Sequence, residues 1–565
     1  MDRNTQERFA LNPVNIDIQR SRFTMSPETT TTFNLGKIYP LCKPIEVLPG
    51  DTFEIDTALA IRMQSLITPP FDNLHFDYYY FFVPNRVVWH HWKEFMGENN
   101  ESAWIPSTTY TVPTIDFVGG ATPGSVADYM GIPTSLPNTQ HVIVDAMPFR
   151  GFAEIYNTWF RNENVCPPVN VSYDDVNRTA LVSTDTNFND PIISMELGGA
   201  LPSASKTADY FTKALPAPQK GEDVMVFDHL PVYFGDTRTN DEVLAENDLR
   251  VSRMTYHSSG TTVTGASQGF MNVSGSAVLG SDHLYQPNNW YVDGELSINQ
   301  LRLAFQIQKL YEKEARSGSR YIELLKSHFS VTSPDATLQR PQYLGGNRVD
   351  ININAIYQTS ETGSTPQGNP AGYSITGHCS SNVHNGSVLF SSTEHGYIHC
   401  IGVARIDQHK YQQGLHRSWT RRTKLDYYFP VLANIGEQPI KNSELYCQGL
   451  TSTELATTKA TRNAVDNQVF GYQEAWAEYR YMPSIVTGEM RSNIPNSLDS
   501  WHFADDYNNL PSLSPGWLEE SPTNIDRVLA VQSSISDQFL GDFLFSIKAT
   551  RPMPLYSIPG LIDHH

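Results

Sequence analysis

"HFDYYYFFVPNRVVW", residues 75–89, poses the problem that the rest of the chain must solve. In an extended strand, successive side chains point to opposite faces. Phe76, Tyr78, Tyr80 and Phe82 then share one face, and Asp77, Tyr79, Phe81 and Val83 share the other. A sheet with one face in water alternates apolar with polar residues. This stretch barely does, so both of its faces need cover. Pro84 closes the run, at a position where the donors of a hydrogen-bonded ladder must stop.

Outward from this stretch, strand signals dominate. After "LPGD" (Leu48–Asp51), Phe53, Ile55, Thr57, Leu59, Ile61 and Met63 alternate with Thr52, Glu54, Asp56 and Arg62. "GDFLFSIKATRP" repeats the pattern near the other end, with Phe543, Phe545, Ile547 and Ala549 against Ser546, Lys548 and Thr550. "KLDYYFPV" (Lys424–Val431) reads as another aromatic run of this kind, closed by Pro430. Helices are few. "PFRGFAEIYNTWFRNENV" places Pro148 in a first turn and Phe152, Ile155, Tyr156 and Trp159 at helical spacing. A longer helix is expected to start at a Ser297–Gln300 capping box and stop at Gly318, with a short one following from about Arg320 to His328. The tract from Ser258 to Asp282 is mostly Ser, Gly, Thr and short apolar residues, too poor to bury a core of its own.

Composition fits a large folded β protein. The 39% of hydrophobic residues, with 36 glycines added, comes to roughly the 45% usual in globular chains. The net charge of −20 repels bulk nucleic acid, so any DNA contact is local or delegated to a basic partner. The start of the chain is polar, with no apolar core for a secretory signal, and no stretch approaches the roughly 18 apolar residues of a membrane span. Five scattered cysteines make no disulfide framework, which suits a reducing cytoplasm.

Motifs for chemistry fail in turn. "GTTVTGAS" (Gly260–Ser267) has Ala266 where a phosphate loop needs lysine. His395 and His399, read on one strand, fall about 13 Å apart, too far to share one metal unaided. The acidic pairs Asp174–Asp175, Asp505–Asp506 and Glu519–Glu520 point to opposite faces if extended, and solvated charge is the expected reading. The doublet His90–His91, between Trp89 and Trp92, reads as packing. No catalytic residue, cofactor site or metal site is assigned. One basic cluster stands out: Arg417, Arg421, Arg422 and Lys424 around Trp419. Cations interleaved with an aromatic suit single-stranded nucleic acid, and they also suit salt bridges between subunits of an acidic protein.

Several long blocks, in order, carry a resemblance. "VLPGDTFEIDTALAIRM", "DNLHFDYYYFFVPNRVVW", "PFRGFAEIYNTWFRNENV", "DYFTKALPAPQKG", "SPDATLQRPQYLGG", "YQQGLHRSWTRRTKLDYYFPVLANIGEQPI", "FGYQEAWAEYRYMPSIVTGEMRS" and "RPMPLYSIPGLIDHH" resemble the major capsid protein of the Microviridae, in its gokushovirus branch. One small departure is Ser330, where the resemblance leads one to expect glycine. The resemblance implies an eight-stranded antiparallel jelly roll with long inserted loops and a few helices. The two regular strands around Phe53–Met63 and Phe543–Ala549 should then pair.

The expected organisation has three parts. Residues 1–231 and 290–565 are the two parts of the jelly roll, and 232–289 is a surface insertion. Relatives carry an insertion near this place that rises beside the threefold axes. Phe270, Met271, Val273, Val278 and Leu279 are the residues that three copies would share there. The expected function is structural: a T=1 shell around circular single-stranded DNA, assembled in the bacterial cytoplasm, with the insertion serving host attachment. The implied partners are further copies of the chain, the genome, a small basic DNA-binding protein, an internal scaffolding protein, a minor spike or pilot protein and a host receptor, with no membrane. Arg417, Trp419, Arg421, Arg422 and Lys424 are the DNA-facing candidates. The competing class is a secreted or surface β protein that binds or cleaves glycans on its aromatics.

Overall fold

The aromatic strand runs from Leu74 to Pro84, and every residue in it except Tyr79 is buried. The structure is a computed structural model. It describes residues 19–98, 107–221, 232–235, 254–258, 261–265, 289–292, 298–317, 320–357, 375–452, 455 and 464–556.

Eight strands form the frame. β1 has two segments, Ser21–Met25 and Glu28–Phe33, and β2 has two, Ile38–Pro40 and Ile45–Val47. β3 is Thr52–Met63 and β4 is Leu74–Pro84. β5 is Gln342–Ile351, β6 Ile375–Ser391, β7 Gly396–Ile406 and β8 Phe539–Arg551. One sheet has the order β1-β8-β3-β6, and the other β5-β4-β7-β2, all antiparallel. Numbered along the chain this is 1-8-3-6 facing 2-7-4-5, the winding of a jelly roll. The expected pairing of β3 with β8 is present, with Leu59 opposite Phe543 and Phe53 opposite Ala549.

Between the sheets the even residues of β4 meet the inward residues of β3 and β8. The Phe76 ring lies 5.3 Å from that of Phe33 and 5.6 Å from that of Phe543. Tyr80 is fully buried, and its hydroxyl is satisfied by Thr57 Oγ1 at 2.6 Å. Gly402 on β7 is what lets this layer close, because a Cβ there would meet the Phe76 ring at 2.5 Å.

The other face of β4 is covered from within the same chain. Two long segments are inserted in the roll, 85–341 between β4 and β5 and 407–538 between β7 and β8. The first supplies α1 (Met147–Ile155), which widens into a π-helical turn at Tyr156–Phe160. Phe81 packs against Trp159 and Phe160 at ring separations of 5.6 and 5.9 Å, and Tyr79 packs against Phe160 at 5.6 Å. Gly151 permits this approach: a Cβ there would sit 3.0 Å from His399 Nε2 and 3.6 Å from Val83. The one charged residue on this face, Asp77, is buried and paired with Arg348 at 2.8 Å and His75 at 3.5 Å. Burial alone would raise its pKa, but these two partners hold its carboxyl well below the usual range.

The expected long helix is α2 (Ile298–Ser317), and the short one is α3 (Tyr321–Phe329). The Ser297 side of the capping box and the Gly318 stop lie outside the described residues. Ser330 ends α3 at φ 57°, in the left-handed region where a glycine stop normally sits, which accounts for the expectation of glycine. "KLDYYFPV" departs from expectation. It makes two 3₁₀ turns, Lys424–Asp426 and Pro430–Leu432, instead of a strand. Asp426 caps the first turn by accepting from the Thr423 and Arg422 amides, and Pro430 starts the second rather than closing a run.

Residues 221–311 cluster as a unit of their own. Within that unit Val232–Gly235 pairs with Asn289–Val292, and Met254–Ser258 pairs with Thr261–Gly265. Phe270, Met271, Val273, Val278 and Leu279 lie outside the described residues.

Phe76→Ala should cost about 3–5 kcal/mol, since it leaves a void between both sheets that flanking rings cannot fill. Urea unfolding of the soluble chain measures this. A loss below about 1 kcal/mol would mean that Phe76 is not in the sandwich core.

Candidate assembly and nucleic-acid surface

The residues singled out for possible chemistry serve packing. His399 is fully buried on the outer face of β7, with neither ring nitrogen hydrogen-bonded among the described residues. Burial drives its pKa down to about 3, so it is neutral. His395 precedes that strand and packs its ring on Trp92 at 5.6 Å. His90 stacks on Tyr173, and His91 stacks on Tyr110 while pairing with Asp175 at 2.9 Å. No group of three or more metal-ligating side chains occurs among the described residues, and the four cysteines described are free thiols.

The acidic pairs are not in strands, and they are not all solvated. Asp174 binds Arg178 at 2.8 Å, while its neighbour Asp175 accepts from Trp89 Nε1 at 2.6 Å. Asp505 and Glu520 overturn the reading of solvated charge. Both are buried in a closed set with Lys206 and His409. Lys206 Nζ lies 2.7 Å from Asp505, and His409 bridges Asp505 (3.3 Å) and Glu520 (3.0 Å). Tyr507 donates to Asp505 at 2.7 Å, and Asn524 donates to Glu520 at 2.9 Å. Two cations facing two carboxylates leave no net buried charge. Burial would lower the His409 pKa, but Glu520 and Asp505 outweigh it and hold the imidazole up to about 10. Against the same desolvation, Lys206 and His409 keep Asp505 well below the usual carboxylate range. These four residues come from both insertions, so the network ties the inserted segments together.

The basic segment divides in two. Arg417 turns inward to Glu444 at 3.7 Å and donates to the Pro439 carbonyl at 3.1 Å. Arg421 reaches Glu478 at 3.3 Å, with its guanidinium over the Tyr479 ring at 4.4 Å and the Tyr427 ring at 5.5 Å. Glu444 and Glu478 are both buried. Burial pushes the Glu444 carboxyl pKa up, and Arg417 and the Lys441 amide offset part of that rise. Arg422 and Lys424 instead lie on the surface. The Arg422 guanidinium donates to the backbone carbonyls of Trp419 and Arg421, and Lys424 sits over the Phe429 ring at 5.5 Å. Trp419 is 72% exposed. Thus the five DNA-facing candidates are brought to one loop, but only Trp419, Arg422 and Lys424 are open to a partner.

Sequence reading missed the apolar side of this loop, having taken Lys424–Val431 for a strand. Leu425, Tyr427, Tyr428, Val431 and Ile435 are exposed, and Val431 is 93% open. Tyr479, Met482 and Ile485 are exposed in the neighbouring segment. The two segments are locked to each other. Trp476 Nε1 donates to the Leu432 carbonyl at 2.8 Å, and the Tyr428 amide donates to the Tyr479 hydroxyl at 3.2 Å.

The Capsid protein (F protein) family matches residues 13–561. Capsid protein VP1 of Spiroplasma virus 4 is 36% identical over 571 residues, covering 96% of both chains. Capsid protein VP1 of Bdellovibrio phage phiMH2K is 36% identical, covering 99% of this chain and 98% of that protein. Capsid protein VP1 of Chlamydia phage 1 is 34% identical, covering 96% of each.

Arg421→Gln strands Glu478 in a buried site and should cost about 3–5 kcal/mol, whereas Arg422→Gln should stay within about 0.5 kcal/mol. Equal effects in denaturant melts would contradict the split. For His409, the folded pKa lies above the ordinary 6.5, so its contribution is complete below that value and is lost as pH rises toward about 10. The melting temperature should therefore fall between about pH 6.5 and 9, and His409→Gln should be less stable at pH 6 with a flatter profile. An unchanged slope in the variant would remove His409 as the cause.

Proposed function

The chain belongs to the Capsid protein (F protein) family, and from that premise we propose that its copies close into a T=1 icosahedral shell around a circular single-stranded DNA genome. Its role is structural and non-enzymatic, and its place is the virion capsid. The observation that carries the shell reading is the pair of sheets, 1-8-3-6 on 2-7-4-5. They form a sandwich whose outer β4 face is covered by the first insertion, so the outward surfaces of the insertions are left to meet neighbours. Each copy then makes heterologous contacts that close about the symmetry axes.

Charge shapes the rest of the proposal. At −20 per chain the shell does not condense DNA by bulk attraction, so a small basic viral protein does this. Arg417 and Arg421 are paired with Glu444 and Glu478, which leaves Trp419, Arg422 and Lys424 as the members of the basic segment open to a partner. Assembly takes place in the bacterial cytoplasm, with an internal scaffolding protein and a minor spike or pilot protein as further partners.

Residues 232–289 form the threefold protrusion and take part in host attachment. Supporting this, the backbone pairing of Val232–Gly235 with Asn289–Val292 brings the two ends of the insertion side by side, as a projecting loop requires. A glycan-directed protein is the weaker reading, because the acidic pairs are divided among separate structural contacts.

Electron microscopy of the chain made with its companion viral proteins should show uniform shells. Their absence under every assembly condition would contradict the shell. Replacing residues 260–280 with a short Gly-Ser linker should leave DNA-filled particles that adsorb poorly to host cells. Normal adsorption would remove the attachment role.

A further inference from the structure

Among the described residues, the loop around Trp419–Ile435 presents large apolar side chains that nothing covers. Six large side chains on it and its neighbour, namely Trp419, Leu425, Tyr427, Val431, Tyr479 and Met482, are between 53% and 93% exposed. With aromatic residues covering roughly 150–250 Å² each, this surface is on the order of 800 Å². That total is comparable to one side of a standard protein interface. The loop is also held in place from beneath. Arg417, Arg421 and the Trp476–Leu432 hydrogen bond pin its inner side, so the outward residues are presented in a fixed arrangement. Ordering an interface loop in advance lowers what association must cost.

Chemistry decides the occupant. Single-stranded nucleic acid is held by phosphate contacts along a basic track and by base stacking. Here only Arg422 and Lys424 are free of carboxylate partners among the described residues, and Asp426 stands exposed beside them. Leu425, Val431 and Met482 are aliphatic and have nothing to meet on a DNA backbone. A surface of Trp, Tyr and Met ringed by a few cations is the composition of a protein interface. The chain's own surface is its best complement, since a second copy carries the excess acid of a −20 protein.

We propose that this surface docks onto a second copy of the chain and forms one of the heterologous contacts of the shell. The inference rests on the shell reading and adds to it the residues that make the contact. Arg422 and Lys424 form its polar rim, and the exposed apolar side chains form its centre.

The test uses Val431→Asp with Met482→Asp, both highly exposed and neither a member of the Arg417–Glu444 or Arg421–Glu478 pairs, in the assembly system with all companion proteins. The wild-type chain should form shells. The double variant should melt like wild type and sediment as protomers or small oligomers, with shell yield reduced at least tenfold. Shells at wild-type yield would overturn the proposal. If those shells also carried less DNA, nucleic acid would be the occupant. If the wild-type chain forms no shells, the shell reading itself fails and this contact falls with it. A photo-crosslinker at position 431 in assembled particles gives a readout independent of the double variant's folding. A cross-link to a second copy supports the contact, and a cross-link to DNA or to no other chain overturns it.

Discussion

Burial of the Leu74–Pro84 strand on both faces is the constraint on which the rest of the protomer depends. Its inward aromatics, Phe76, Tyr78, Tyr80 and Phe82, need an opposing sheet, and β3 and β8 supply one. Its outward apolar residues, Tyr79, Phe81 and Val83, need a second apolar layer, and the first insertion supplies it through α1 and the turn that follows. Each fully buried large side chain contributes roughly 1.5–3 kcal/mol, so leaving either face wet would cost much of a domain's net stability. The insertion between β4 and β5 is therefore part of the fold, and Gly151 is the residue that lets its helix come close enough.

The same logic of closure governs charge. Asp77, the one carboxylate in the strand, is surrounded by His75, Arg348 and Arg405. Lys206, His409, Asp505 and Glu520 balance one another in the dark, and Glu444 and Glu478 each hold an arginine. Buried ions survive only when so matched. Matching is what turns half of an apparent nucleic-acid motif into scaffolding. What remains unmatched, on the surface of the Trp419–Ile435 loop, is mostly apolar, and a shell subunit has neighbours to cover it.

The frame was legible where periodicity is strict. Alternation from Phe53 to Met63 and from Phe543 to Ala549 marked two strands, and the family resemblance ordered them into one sheet. Lys424–Val431 misled because local composition is shared by strands and by aromatic turns. What separates them is a partner strand, and here Asp426 caps a turn instead. Arg421 and Arg422 are adjacent and alike in sequence, yet one is buried and the other free. The difference lies in Glu478, 57 residues from Arg421, which accepts a hydrogen bond from its guanidinium. The network at Asp505 was invisible for the same reason, because its bond to Lys206 spans 299 residues. No local signal encodes such pairs, and at Ser330 the resemblance marked only an expected glycine, which the structure explains as the left-handed end of α3.

Hydrogen exchange on the unassembled protomer tests the central claim most directly. If both faces of β4 are covered within one chain, the amides from Leu74 to Val83 should exchange only through global unfolding, as slowly before assembly as after it. Rapid exchange of these amides in the free protomer, slowing only in the shell, would mean that neighbouring copies supply the cover, and would contradict the account.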